Sequence, residues 1–211
     1  MLEQENDALL VQQAKDGDMA AFERLIIQYE KMVYNIALKM MSNQEDAKDV
    51  SQDVFIKLFR NLDKFKGDSS FSTWTYRIAV NTCIDELRKR KKKMTVSIDM
   101  ETEGEDSKIK RELTDNAPTP EESYLEKEGT EKIRAAMEQL SNDHKMMITL
   151  RDFQGLSYTE IAEITELSLG TVKSRIARAR LQLKNLLLVN GELNLSLYRQ
   201  NLQERRVKNE L

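Results

Sequence analysis

Between Phe22 and Met40 the apolar side chains fall at Phe22, Leu25, Ile26, Tyr29, Met32, Val33, Ile36 and Met40. Steps of three and four residues place all of them on one side of a helix and none of them in the alternation a half-buried strand needs. The same spacing returns at Ala47, Val50, Val54, Leu58 and Leu62, and again at Val172, Ile176, Ala179 and Leu183. Stripes of this kind are buried by packing helix on helix. Only 7 Gly and 2 Pro in 211 residues leave few tight turns for a sandwich or barrel. The abundant Leu, Met, Glu, Lys, Arg, Gln and Ala are good helix formers. The fold class expected is all-α.

Along the chain, a short helix over 7–16 ends at Gly17, and Asp18 caps the next. A third helix runs from near Gln44 to about Leu62, the polar stretch from Lys64 to Ser70 forms a loop, and a fourth helix begins near Phe71 and ends in the basic run Arg88 to Lys93. The composition then changes. From Met94 to Ser123 there are nine acids and three bases, a net of −6, and both prolines, Pro118 and Pro120, lie here. That is a flexible acidic linker. The expected organisation is two small helical domains, residues 1–93 and 121–188, joined by a linker over 94–120 and followed by a tail over 189–211. The tail opens on a helix stop, Asn190-Gly191, and carries a weak pattern of Leu193, Leu197 and Leu202 to which no role attaches.

Several function classes find little support. Cys83 is the one cysteine, so there is no internal disulfide and no zinc pattern. His144 is the one histidine, and no Ser/His/Asp set, metal cluster or phosphate-cradling Gly loop accompanies it. The chain is therefore expected not to be an enzyme and to need no cofactor. The N-terminus is acidic and polar rather than a signal peptide. No apolar run approaches the roughly 20 residues of a membrane helix, so no membrane insertion and a cytoplasmic location are expected.

The net charge of −3 hides one wholly basic segment: from Leu167 to Asn185 there is no acid. Just before it, Ser157 followed by Glu160 makes a capping box, with Leu156 and Ile161 at the staple positions, so a short helix starts at Tyr158. Ser168 caps the next. Two helices joined by a tight turn, the second basic, is the helix-turn-helix pattern. At about 100° per residue, Val172, Ile176, Ala179 and Leu183 share one side of the second helix, while Thr171, Ser174, Arg175 and Arg178 gather on the opposite side. Guanidinium and hydroxyl groups there can donate to phosphates and base edges, and Gly170 permits a close backbone approach. The plainer alternative is a solvated basic face.

Two further faces stand out in the first module. On the helix from Phe71, Trp74, Arg77, Asn81, Asp85 and Arg88 recur at three- and four-residue steps, offering a ring and donors of the kind unstacked bases need. Equally, Trp74 may belong to the core with the rest solvated. On the third helix, Asp49, Gln52, Asp53, Ile56 and Phe59 lie opposite the buried stripe. Apolar groups rimmed by acids suit a protein partner, or Phe59 folds back under its neighbour.

At this point the residues resemble a known family. The stretch DAKDVSQDVFIKLFRNLDKFKGDSSFSTWTYRIAVNTCIDELRKRKKK is similar to region 2, and LSNDHKMMITLRDFQGLSYTEIAEITELSLGTVKSRIARARLQLK to region 4, of bacterial RNA polymerase sigma factors of the extracytoplasmic-function (ECF) type. With the first helices the resemblance covers roughly residues 6–188. It implies that Asp49, Gln52, Asp53, Ile56 and Phe59 hold core RNA polymerase. It implies that Lys66, Gly67, Asp68, Ser69 and Ser70, with Trp74, Tyr76, Arg77, Asn81, Asp85 and Arg88, read and melt the −10 element of promoter DNA, a non-template base entering a pocket at the loop. It assigns the −35 element to Thr171, Lys173, Ser174, Arg175, Arg178 and Arg180, although Ala177 stands where many relatives carry a large side chain. The resemblance further implies a role in stress responses, an anti-sigma factor as partner, and an acidic linker that threads toward the active-site cleft of polymerase. The competing function is a conventional helix-turn-helix regulator that binds duplex DNA without polymerase.

Overall fold

The computed structural model describes the backbone of residues 2–97 and 120–189 and the side chains of 7–92 and 129–188. The expected acidic linker lies outside the described residues over 98–119, as does the tail over 190–211. The eight α-helices are α1 (Leu2–Lys15), α2 (Met19–Met41), α3 (Gln44–Asn61), α4 (Phe71–Ser97), α5 (Pro120–Glu138), α6 (Asn142–Ile148), α7 (Tyr158–Thr165) and α8 (Leu169–Val189). A 3-10 turn (Leu62–Lys64) follows α3, and a π-helical turn (Thr149–Phe153) extends α6. There is no strand among the described residues.

In the first module α2 is the central helix, packed against α1, α3 and α4. Asp18 caps it by accepting from the amides of Ala20 and Ala21. Leu25, Val33, Ile36 and Met40 of its stripe are fully buried, while Ile26 and Met32 are only partly so. They meet Ala47, Val50, Val54 and Leu58 of α3 and Ala79, Val80 and Cys83 of α4, all buried. Asn43 starts α3 by accepting from the amides of Glu45 and Asp46. The junction before it is Ser42, held in the left-handed conformation at φ 61°. Asp7 on α1 is buried and accepts from the hydroxyl of Tyr29 and from Gln28 Nε2 on α2, so its burial is compensated by hydrogen bonds. The basic run at the end of α4 is partly structural: Arg90 pairs with both Asp46 of α3 and Glu86 of its own helix. The guanidinium beside Asp46 holds that carboxyl below the ordinary value of 3.8, against the opposing effect of burial.

In the second module α8 packs against α5, α6 and α7. Val172, Ile176, Ala179 and Leu183 are buried, as their spacing predicts, against Met147, Ile148, Leu150, Ile161 and Ile164. His144 Nδ1 lies 2.6 Å from Gln182 Oε1, tying α6 to α8.

The modules touch each other. α4 packs on α6 and α7, and α2 on α6 and the π-helical turn. Among the described residues no helix is long and apolar enough to cross a membrane.

Candidate functional site

The α3 face is built as its pattern suggests. Asp49, Gln52 and Asp53 are exposed, and Ile56 and Phe59 keep 46% and 48% of their surface in water. Both readings of Phe59 are partly met. Its ring lies 5.1 Å from that of buried Phe22 on α2, yet half of it remains open. A groove of about 440 Å³ runs between this face and α4, lined by Asp53, Ile56, Lys57, Arg60, Asp85 and Arg88 among others. Lys57 and Arg60 are rim residues that the α3 periodicity did not single out. Lys57 Nζ donates to Thr82 Oγ1 at 3.0 Å and so spans from α3 to α4.

The row on α4 is divided between two neighbours. Asp85 and Arg88 line the groove with α3, whereas Arg77 and Asn81 line a smaller cavity of about 200 Å³ shared with the second module. Trp74 is neither core nor solvated. Its ring packs 5.1 Å from Phe65 and 5.6 Å from Phe71 and stays partly exposed. Phe65, which sequence periodicity gave no reason to select, therefore braces the ring. Its carbonyl accepts from Lys15 Nζ of α1, which fixes the loop from beneath. Beyond it Lys66, Gly67 and Asp68 are exposed, and Gly67 turns the chain at φ 81°. Ser69 and Ser70 are half-buried. Ser70 has a structural duty as well, because its Oγ accepts from the amide of Thr73 at 3.0 Å in the first turn of α4. Tyr76 is half-buried, and burial together with nearby Glu160 pushes its hydroxyl pKa up.

The turn into α8 forms as its sequence predicts. Ser157 and Glu160 make the reciprocal capping box of α7, and Ser168 Oγ accepts from the amide of Thr171 at 3.2 Å. Lys173, Ser174 and Arg178 are exposed along α8, with Lys184 further on. Thr171 and Ser174 are engaged within the helix, Thr171 Oγ1 with Ser168 Oγ at 2.8 Å and Ser174 Oγ to the carbonyl of Thr171 at 3.0 Å. Arg175 is half-buried, 3.5 Å from Asp143. Arg180 departs from the expected row. Its guanidinium makes a two-pronged pair with Asp152 of the π-helical turn, Nε to Oδ2 at 3.2 Å and Nη2 to Oδ1 at 2.5 Å. The reason is angular: at about 100° per residue, Arg180 lies well around the helix from Arg178 and toward the core side. Beyond Gly170 the helix surface is open, since a Cβ there would meet nothing within 4 Å.

The geometry is that of a two-module promoter reader: an acidic-apolar docking face, an aromatic-lined loop and helix, and a separate basic recognition helix. Residues 25–93 match the family Sigma-70 region 2, and residues 130–183 match Sigma-70, region 4. The chain belongs to the RNA polymerase sigma factors of the ECF type. It is 39% identical over 185 residues to the ECF RNA polymerase sigma-E factor of Escherichia coli, covering 88% of this chain and 96% of that one. It is 36% identical over 182 residues to the RNA polymerase sigma-H factor of Pseudomonas aeruginosa, covering 85% of this chain and 93% of that one. Among solved structures it is similar to CnrH in complex with the cytosolic domain of CnrY, with a TM-score of 0.63 at 25% identity, covering 88% of this chain and 99% of that one. It is also similar to the sigma factor RpoE in complex with the anti-sigma factor NepR from Bartonella quintana, with a TM-score of 0.60 at 25% identity, covering 81% of this chain and 98% of that one. Proteins of this family are transcription initiation factors, not enzymes. The chain accordingly acts as an alternative sigma factor with core RNA polymerase and promoter DNA.

Proposed function

We propose that this sigma factor divides its work as the three surfaces suggest. The α3 face with Asp49, Gln52, Asp53, Ile56 and Phe59 holds core polymerase. The loop Lys66 to Ser70, with Trp74, Tyr76, Arg77 and Asn81, takes the non-template strand of the −10 element, and Asp85 and Arg88 act from the neighbouring groove. Thr171, Lys173, Ser174, Arg175 and Arg178 on α8 read the −35 element, while Arg180 holds the helix in place. The observation that carries this reading is the exposed, acid-free row on α8 set against an otherwise acidic chain: a basic row of this kind gains affinity by displacing counterions from phosphates. The domains are 1–93 and 121–188, the linker between them entering the polymerase cleft. An anti-sigma factor restrains the protein in the cytoplasm, as the solved relatives are bound to such partners or to a cytosolic domain.

The test is transcription in vitro from a genomic fragment library, with core polymerase in the presence and absence of the protein. New start sites sharing two upstream motifs are expected. Absence of new starts, together with tight binding of the protein alone to a palindromic duplex, overturns the assignment in favour of a conventional regulator.

A further inference from the structure

Each module places one cation on the C-terminus of a helix in the other. Arg77 of α4 reaches across to α7, where Nη2 donates to the carbonyl of Glu163 at 2.9 Å and Nη1 lies 3.2 Å from Glu166 Oε1. The Glu163 carbonyl is one of the last four of its helix, which have no partner within the helix. In return, Lys145 of α6, 5% exposed, donates from Nζ to the carbonyl of Met40 at 3.3 Å, in the last turn of α2. Helix C-termini carry partial negative charge and favour a cation. Around these contacts Lys39 Nζ sits 4.4 Å over the ring of Phe153, and Thr149 Oγ1 lies 3.7 Å from Met40 Sδ. The meeting of the modules is therefore a built interface with charge matched at both ends.

What it covers is the reading face. Arg77 and Asn81, assigned above to the −10 strand, line the cavity between the modules together with Arg175 of the recognition helix and Glu166. The helix-turn-helix presents to Arg77 a carbonyl and a carboxylate, the donor-seeking oxygens that a DNA phosphate would offer. The fit is incomplete, because Arg77 Nε is buried without a hydrogen-bond partner, which favours release. Glu166 itself is 71% exposed on its side chain, so the ion pair is weak.

We infer that the turn of the helix-turn-helix is an internal stand-in for promoter phosphate, which holds Arg77 and closes region 4 over the −10 reading face until DNA or polymerase displaces it. The inference rests on the assignment of Arg77 to the promoter. Closed, the chain keeps both DNA-reading surfaces from acting together; open, it frees Arg77 and Arg175 at once.

The test uses the full chain with Lys48→Cys and Lys184→Cys, both exposed, carrying spin labels. Cys83 is fully buried with its thiol pushed up to about 12, so it stays unlabelled. Glu166→Asn removes the charge and still suits the left-handed backbone at φ 56°; Glu166→Lys reverses it. Pulsed electron paramagnetic resonance is expected to show a short label separation in the parent and a population of long separations in both variants. Binding of random-sequence single-stranded DNA without polymerase is expected to tighten roughly two- to fivefold, the effect of one partly exposed ion pair. Unchanged separations in both variants overturn the closed state. Longer separations with unchanged DNA binding overturn its inhibitory role. Adding Arg77→Ala to Glu166→Asn should abolish the gain; retention of the gain removes the promoter assignment of Arg77 while leaving the interdomain contact standing.

Discussion

Replacing Arg180 by Ala asks whether this residue reads DNA or holds the recognition helix. Its guanidinium grips Asp152, whose side chain is 9% exposed, while that of Arg180 is 35% exposed. Hydrogen bonds to charged groups contribute about 1.5–3 kcal/mol where buried, and the exposed part of Arg180 reduces this through solvent screening. Loss of the pair should cost about 1.5–2 kcal/mol, because a nearly buried carboxylate loses its cation. For a chain of this size that is a fall of roughly 3–8 °C in the melting of the second module. Thermal melting followed by circular dichroism measures the loss, and −35 duplex binding is measured well below the transition. Asp152→Ala should lower the melting temperature similarly, with a coupling of about 1 kcal/mol between the two substitutions in a double-mutant cycle. A variant that melts within a degree of the parent and loses tenfold in duplex affinity would refute this reasoning and restore Arg180 to the DNA-reading row.

Ile56→Glu, at a half-exposed site on the α3 face, should weaken capture of core polymerase at least ~5-fold while shifting stability by no more than about 0.5 kcal/mol, as read by pull-down and melting in parallel. Arg178→Ala should weaken −35 duplex binding and lower the slope of log affinity against log salt by about 1 if it contacts phosphate, whereas a base contact should relax specificity at one position and leave that slope closer to the parent's. The Asp46–Arg90 pair gives a pH signature. Asp46 has its folded pKa lowered from 3.8, so its contribution is present above that value and is lost as pH falls through the lower folded one. Asp46→Asn should therefore narrow the difference in first-module stability between neutral and strongly acidic solution in a pH series of denaturant titrations.

The fold was legible wherever burial follows a short period. The α2, α3 and α8 stripes set which faces meet, and the caps at Asp18, Ser157 and Ser168 sit where their side chains can accept from the next free amides. The docking face on α3 was legible for the same reason, since an exposed Phe and Ile break an otherwise polar surface. What could not be read is what depends on approach from another element. Arg180 looked like its neighbours until Asp152 arrived from the π-helical turn, and the α4 row looked continuous until α3 and α7 took different parts of it. Ser70 carried a hint, a hydroxyl residue three before Thr73 at the start of a helix, that was absorbed into the DNA-binding loop. Lys145 carried another, a lone lysine opening the apolar run KMMITL, the kind of buried cation that implies a specific acceptor.

Glu166 ends α7 in a backbone conformation that suits glycine, and in the genetic code one base change in the middle of a glutamate codon gives glycine. That single mutation would relieve the turn, by about 1 kcal/mol, and at the same stroke discard the carboxylate that holds Arg77. The sequence thus lies one nucleotide from a sturdier and less restrained version of itself. Selection for stability alone would have taken that step, so a genetic screen for constitutive mutants of this factor should return to codon 166 repeatedly.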